Sequence, residues 1–318
     1  MDYTLTKPTY LTRFKSSCRE LKVSLRRNWD LYLLFLPVIV FYIVFHYVPM
    51  YGVQIAFRQF NSTLGIWRSE WVGLEHFIRF FQGFFIGRLL FNTITLSLYG
   101  LAVGFIAPIL LALMLNEVRF NPFKRTVQTV TYAPFFLSTV VKVGLLVAIL
   151  SPTNGLVNNI IELFGGERVN FMTSPEWFKT LFVFSDVWQT AGYGSIIYLA
   201  ALSGISPELH EAAQIDGASR LRRIWHINLP GIQPTIVIMF ILACGGIMNI
   251  GFEKVFLMQN PGNMATADVI STYVFRVGIQ GAQFSFSAAV GLFNSVINFI
   301  LLLTANHLSK KFTETSFW

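Results

Sequence analysis

Residues 207–230 read Pro-Glu-Leu-His-Glu-Ala-Ala-Gln-Ile-Asp-Gly-Ala-Ser-Arg-Leu-Arg-Arg-Ile-Trp-His-Ile-Asn-Leu-Pro. This polar stretch sits between two long apolar runs, 187–207 and 224–252. Ser206 can cap a helix whose first position is Pro207, a residue favoured there because its missing N–H is not needed. Glu208 and Glu211 fall in the opening turns, where the helix dipole favours negative charge. Gly217 is placed to end that helix in a left-handed conformation. Ser219 can cap a second short helix, which Pro230 is expected to stop. Arg220, Arg222 and Arg223 crowd its first turn, the wrong end for the dipole, so lipid headgroups or an acidic partner surface are expected to hold them. The result is a short helical hairpin on a membrane surface. It is shaped either to fit a groove in another protein or to lie as an ordinary interfacial helix.

The membrane reading rests on composition. The chain is 54% hydrophobic and 16% aromatic, and only 13% of its residues are charged. A soluble domain carries about 25% charged residues. Uncharged runs recur, and a helix that crosses the hydrocarbon core needs about 20 mostly apolar residues. The runs predict six spans, at about 31–51, 90–115, 127–151, 180–203, 232–252 and 285–307. Lys142 interrupts the third, and Asp186 lies near the start of the fourth.

Charge sets the orientation. The first 30 residues hold Lys7, Arg13, Lys15, Arg19, Lys22, Arg26 and Arg27 and lack the apolar core of a secretory signal. With Arg119, Lys124, Arg125, the three hairpin arginines, Lys310 and Lys311, fifteen basic residues fall on one side. Seven lie in the longer alternate loops, among them Lys254 and Arg276. Both termini and the hairpin are therefore expected in the cytoplasm. The same rule accounts for the net charge of +8 without nucleic acid binding. Two cysteines, Cys18 and Cys244, fall in different predicted compartments and imply neither a disulfide framework nor a metal site.

Several chemistries are excluded. No Walker A pattern is present, so the chain cannot cradle ATP itself. Leu202-Ser203-Gly204-Ile205-Ser206 faintly echoes an ABC signature loop but ends a membrane span and lacks the companion motifs. His210-Glu211 lacks the second zinc ligand, because position 214 is Gln. Asn61-Ser62-Thr63 is a formal glycosylation sequon without support. No set of nucleophile, base and orienting group appears, which argues against a membrane enzyme.

The hairpin residues resemble a known family. Glu211-Ala212-Ala213, Gly217 after three intervening residues, and Ile227-Asn228-Leu229-Pro230 after nine more resemble the "EAA" loop of binding-protein-dependent ABC importer permeases. Trp71-Val72-Gly73-Leu74-Glu75-His76-Phe77 looks like the outer-loop element of the sugar-type members. Asn92-Thr93 at the second span and Tyr132-Ala133-Pro134 are similar to that family, and the run Ser287–Ser295 resembles the last helix of the carbohydrate subgroup that includes oligosaccharide and alginate permeases. The likeness covers about 70–310.

The resemblance implies an all-α, six-helix type I importer permease in a bacterial inner membrane. Residues 1–30 would form a basic cytoplasmic tail and 31–318 the permease domain, with a family core at about 85–305. A second permease, identical or different, would complete the pathway. A pair of cytosolic ABC ATPases would hold ATP and Mg, this chain needing no cofactor. A binding protein would deliver a carbohydrate from outside, and Lys142 with the net basic outer loop Gly52–Arg88 (four Arg against Glu70 and Glu75) points to an acidic oligosaccharide. Glu208, Glu211, Ala212, Ala213, Asp216, Gly217, Ile227, Leu229 and Pro230 would couple to the ATPase.

Intramembrane polar residues are costly and are candidate pathway groups. Lys142 either lines the pathway, snorkels to an interface or pairs with Asp186. Trp188 beside Gln189 suits a sugar, or an interfacial ring and an interhelical amide. Asn249, Asn294 and Asn298 fit cross-helix bonding better than a ligand. Gly100 and Gly104 read as a packing notch. An ion-coupled secondary transporter is the alternative. It would need midplane carboxylates, and Asp186 is the sole acidic residue within the six spans.

Overall fold

The computed structural model describes residues 27–313. The basic residues before Arg27, and Cys18, lie outside that range. Among the described residues the chain is helical, apart from a two-stranded antiparallel ladder that pairs Arg58 with Trp71 and Gln59 with Glu70.

The first helix, α1 (Trp29–Phe57), is long and apolar, and no residue of its most hydrophobic stretch is buried within this chain. Its widened π turn, Ile43–Tyr47, lies just before Pro49. Proline cannot donate to the preceding turn and crowds its carbonyl, and a widened turn relieves both problems. The last turns, Tyr51–Phe57, pack on the C-terminal helix.

Next, α2 (Ile86–Glu117) runs 32 residues, about 48 Å at 1.5 Å per residue. It packs along α5 (Pro175–Ser203). Leu96 of α2 and Phe178, Phe182 and Val183 of α5 share a core with Val255, Met258 and Val269.

Hydropathy predicts one span over 127–151. Instead α3 (Asn121–Phe136) and α4 (Thr139–Ile149) meet at 105°. Pro134 lies in the tight turn that closes α3, and Ser138 begins a new helix by accepting from Val141 N at 3.3 Å. Hydropathy sums over the bend and cannot see it. α3 crosses α5 closely at Gly192, where an added Cβ would lie 2.0 Å from the Thr131 carbonyl oxygen.

The hairpin comprises α6 (Pro207–Ile215) and α7 (Arg220–Gly231), and α7 bends by 62° into α8 (Gln233–Gly245). The second limb ends within one residue of Pro230, as expected. A π turn, Ile224–Asn228, precedes the proline and lets the helix continue to Gly231, as before Pro49. The span expected at 232–252 is helical only to Gly245, and glycines 245, 246 and 251 flank the irregular stretch beyond it. The short α9 (Phe252–Met258) and the terminal α10 (Phe284–Thr313) complete the bundle.

Among the described residues three helices are long and apolar enough to cross a membrane, and each bent pair adds a candidate. α5, with 29 residues, is long enough but carries Glu176, Lys179 and Asp186.

Polar stitching fixes one end of the bundle. Asn92 Nδ2 donates to the carbonyls of Ala265 at 2.9 Å and Asp268 at 3.1 Å, and Thr93 Oγ1 accepts from Ile270 N at 3.0 Å. Asp268, 1% exposed, holds Arg88 at 3.1 Å and Arg276 at 2.9 Å. His76, in the outer-loop element, is buried with Nε2 3.1 Å from the Arg58 carbonyl oxygen.

Candidate functional site

Two polar constructions stand out against the apolar bundle. The first is the hairpin. Ser206 Oγ accepts from Glu208 N at 3.3 Å, so the predicted cap is present. The helix ends as its glycine requires. Gly217 has φ of +74°, its N–H donates to the Gln214 carbonyl at 3.0 Å, and Ala218 N donates to the Ala213 carbonyl at 2.8 Å. These paired bonds consume carbonyls that a helix end leaves open.

Glu208, Glu211, Ala212, Asp216 and Gly217 are exposed, and Ala213 is half-buried. Pro230 is exposed, but Ile227 and Leu229 are half-buried, and Leu229 packs with Ile224 and Ile205 on a core of Leu113, Tyr198 and Leu202. Leu229 therefore seats the hairpin on the bundle. Sequence reading does not single out the exposed apolar residues Leu209, Ile215, Leu221 and Trp225. The available signal is large apolar side chains in an otherwise polar stretch. Arg223 also departs from expectation. It turns inward, is buried, and lies 3.8 Å from the Glu117 carboxylate, while Arg220 and Arg222 stay exposed.

The second construction is a buried charge cluster. Lys142 Nζ lies 2.8 Å from Asp186 Oδ1, and Lys254 Nζ lies 2.7 Å from the same oxygen. Lys142 also donates to Gln189 Oε1, and Gln189 Nε2 donates to the Leu137 carbonyl at 2.8 Å. Lys254 donates to the Phe182 carbonyl and sits 4.1 Å from the Phe182 ring centre. Both lysine side chains are 4% exposed, whereas that of Asp186 is 40% exposed. One carboxylate thus serves two ammonium groups, leaving a surplus positive charge. By sequence position Lys254 belongs to a loop. Nothing local marks it as the partner of a residue in another helix.

Cavities open on both sides of this cluster. One, of about 360 Å³, is bounded by Gly100, Gly104, Phe182, Asp186, Thr190 and Ala243. The other, of about 320 Å³, is bounded by Lys142, Leu145, Ile149, Leu181, Phe184 and Trp188. Trp188 is half-exposed on that wall, while Gln189 is tied to Lys142. Among the described residues of this chain, nothing packs into the notch expected at Gly100 and Gly104: no neighbour lies within 4 Å of an added Cβ, and the missing side chains leave open space beside Asp186.

Asn249, Asn294 and Asn298 stand apart from the cluster. Asn249 Oδ1 accepts from Asn294 Nδ2 at 3.1 Å and Asn298 Nδ2 at 3.0 Å, and Asn298 Oδ1 accepts from Met248 N at 2.9 Å. They bind α10 to the irregular chain after α8, as cross-helix bonding predicts. Among the described residues Cys244 is free, and no cluster of three metal-ligating side chains occurs.

Long apolar helices, a polar hairpin between them and a charged cluster within the bundle define a multi-pass membrane transport subunit. The chain belongs to the family described as "Binding-protein-dependent transport system inner membrane component", which matches residues 100–314. Members are permease subunits rather than enzymes. The polygalacturonan/rhamnogalacturonan transport system permease protein YteP of Bacillus subtilis (strain 168) is 46% identical over 94% of each chain. Protein LplB of the same organism is 43% identical over 92% of each. Among solved structures, a chain of a bacterial ABC transporter involved in import of the acidic polysaccharide alginate matches with a TM-score of 0.86 and 44% identity. That match covers 92% of this chain and 99% of the other, and it establishes the type I ABC permease fold. A chain of an alginate transporter in complex with its pentasaccharide-bound periplasmic protein matches with a TM-score of 0.85 and 43% identity.

Proposed function

We propose that this chain is the pathway-forming permease of an ATP-driven importer in a bacterial inner membrane. Its cargo is an acidic oligosaccharide delivered by an extracytoplasmic binding protein. A second permease completes the pathway, and a separate pair of cytosolic ABC ATPases holds ATP and Mg. Residues 31–318 make up the permease, with both termini and the hairpin in the cytoplasm.

The observation that carries this reading is the capped, exposed helix α6. It presents Glu208, Glu211 and the small Ala212 beside the apolar Leu209 and Ile215. A short rigid helix with small residues fits a protein groove, and a carboxylate can pair with a partner arginine in fixed geometry. Closure of the ATPases would move this helix and swing the bundle.

Two observations support acidic cargo. The cluster at Asp186 has one more cation than anion. The 46%-identical relative is named for polygalacturonan and rhamnogalacturonan, and a structural neighbour is described as importing alginate. The cluster also disfavours ion coupling. A proton or sodium ion would have to compete with two ammonium groups for Asp186.

The decisive experiment is Glu211→Lys in the full assembly. The variant should insert normally but fail to co-purify with the ATPase, and normal co-purification would count against the hairpin's role.

A further inference from the structure

The hairpin meets the bundle at a polar node. Glu117 is the final residue of α2, where a carboxylate faces the negative end of the helix dipole and needs a cation beside it. Arg223 supplies one, with Nη2 3.8 Å from Glu117 Oε2. Asn228 Nδ2 donates to Glu117 Oε1 at 3.4 Å. Arg223 and Asn228 are both buried, and they bracket the π turn of α7.

The node is slack. Charge-assisted bonds settle at about 2.7–2.9 Å, and both contacts are longer. Arg223 Nε and Asn228 Oδ1 are buried without a hydrogen-bond partner among the described residues. An unpaired buried polar group costs about 1–3 kcal/mol; a closer Glu117 carboxylate can accept from Arg223 Nε, and the guanidinium drawn in with it can donate to Asn228 Oδ1, so a tighter node is favoured. Room for the movement exists. A cavity of about 410 Å³, bounded by Glu117, Arg119, Arg223, Pro207, His210 and Glu211, separates the end of α2 from α6.

We infer that Glu117 is the positioning residue through which hairpin motion reaches the charged cluster. The inference rests on the proposed docking of α6 on an ATPase. When the ATPase drives α6 into the cavity, Glu117 tightens on Arg223 and Asn228, and α2 is pulled with α7. α2 is one continuous helix, and its Gly100–Gly104 face bounds the space beside Asp186. A shift at residue 117 therefore changes the width of that space. An ion pair that merely aids folding would lower thermal stability and leave coupling intact.

The test uses the complete assembly of this chain, its partner permease, the ATPases and the binding protein in proteoliposomes, with oligogalacturonate as cargo. The readout is cargo taken up per ATP hydrolysed. Glu117→Gln should keep ATPase attachment and basal hydrolysis while the ratio falls by about tenfold. Charge reversal, E117R with R223E, should restore much of it. An unchanged ratio in Glu117→Gln overturns the inference. Should Glu117→Gln fail to reach the membrane, Glu117→Asp keeps the charge but shortens the reach, and the same two outcomes apply to it. A wild-type assembly without ATP-dependent uptake would instead overturn the proposed function, and this inference with it.

Discussion

Asp186 is the shared partner of two lysines that have almost no contact with solvent. Removing one partner of a buried pair costs about 3–5 kcal/mol, because an uncompensated charge remains. Asp186→Asn leaves two such charges close together. The half-open carboxylate position admits water, which places the expected loss near the lower end of that range. Thermal unfolding in detergent should show a clear drop in Tm. Asp186→Asn combined with Lys254→Met should regain part of it, since one of the stranded cations is gone. Equal stability of Asp186→Asn and wild type would mean that Asp186 does not balance the two lysines.

At the scale of elements, proline and glycine decide where helices bend and stop. Two prolines are preceded by π turns: Pro49 is absorbed inside α1, whereas α7 ends at Gly231, one residue after Pro230. Pro134, in a tight turn with Ser138 ready to cap the next helix, marks a real break. Gly217 ends α6 at φ +74°, a conformation that costs residues with a Cβ about 1–2 kcal/mol. Gly217→Val should therefore weaken ATPase attachment by about tenfold, while Gly217→Asn should be nearly silent, since asparagine tolerates that region. Titration of purified ATPase against the permease reads both. Equal affinity of the valine and asparagine variants would show that the helix end plays no part in docking.

At the scale of the whole molecule, charge distribution bears on cargo. The surplus cation at Asp186 should help draw a uronate chain into the bundle. Lys142→Ala removes that surplus. Losing one screened charge contact of about 1 kcal/mol raises KM by about fivefold. The effect should appear with uronate oligomers and be absent with their carboxyl-reduced counterparts. An identical change for both cargoes would place Lys142 in the scaffold and remove the argument for acidic selectivity.

Membrane insertion, the helical class and the capped hairpin are local properties, and the sequence determined them. Apolar runs, Ser206 before Pro207, and Gly217 after one helical stretch each act on their own few neighbours. So do the residues that carry the family likeness. The tertiary structure alone decided which helices meet. That choice put Lys254 on Asp186, turned Arg223 toward Glu117 and left Gly100 and Gly104 beside open space. It also set the 105° bend between α3 and α4. Hydropathy and periodicity report how a segment partitions between water and lipid. Ion pairs and cavities depend on the directions of segments far apart in the chain, which no short window of residues contains.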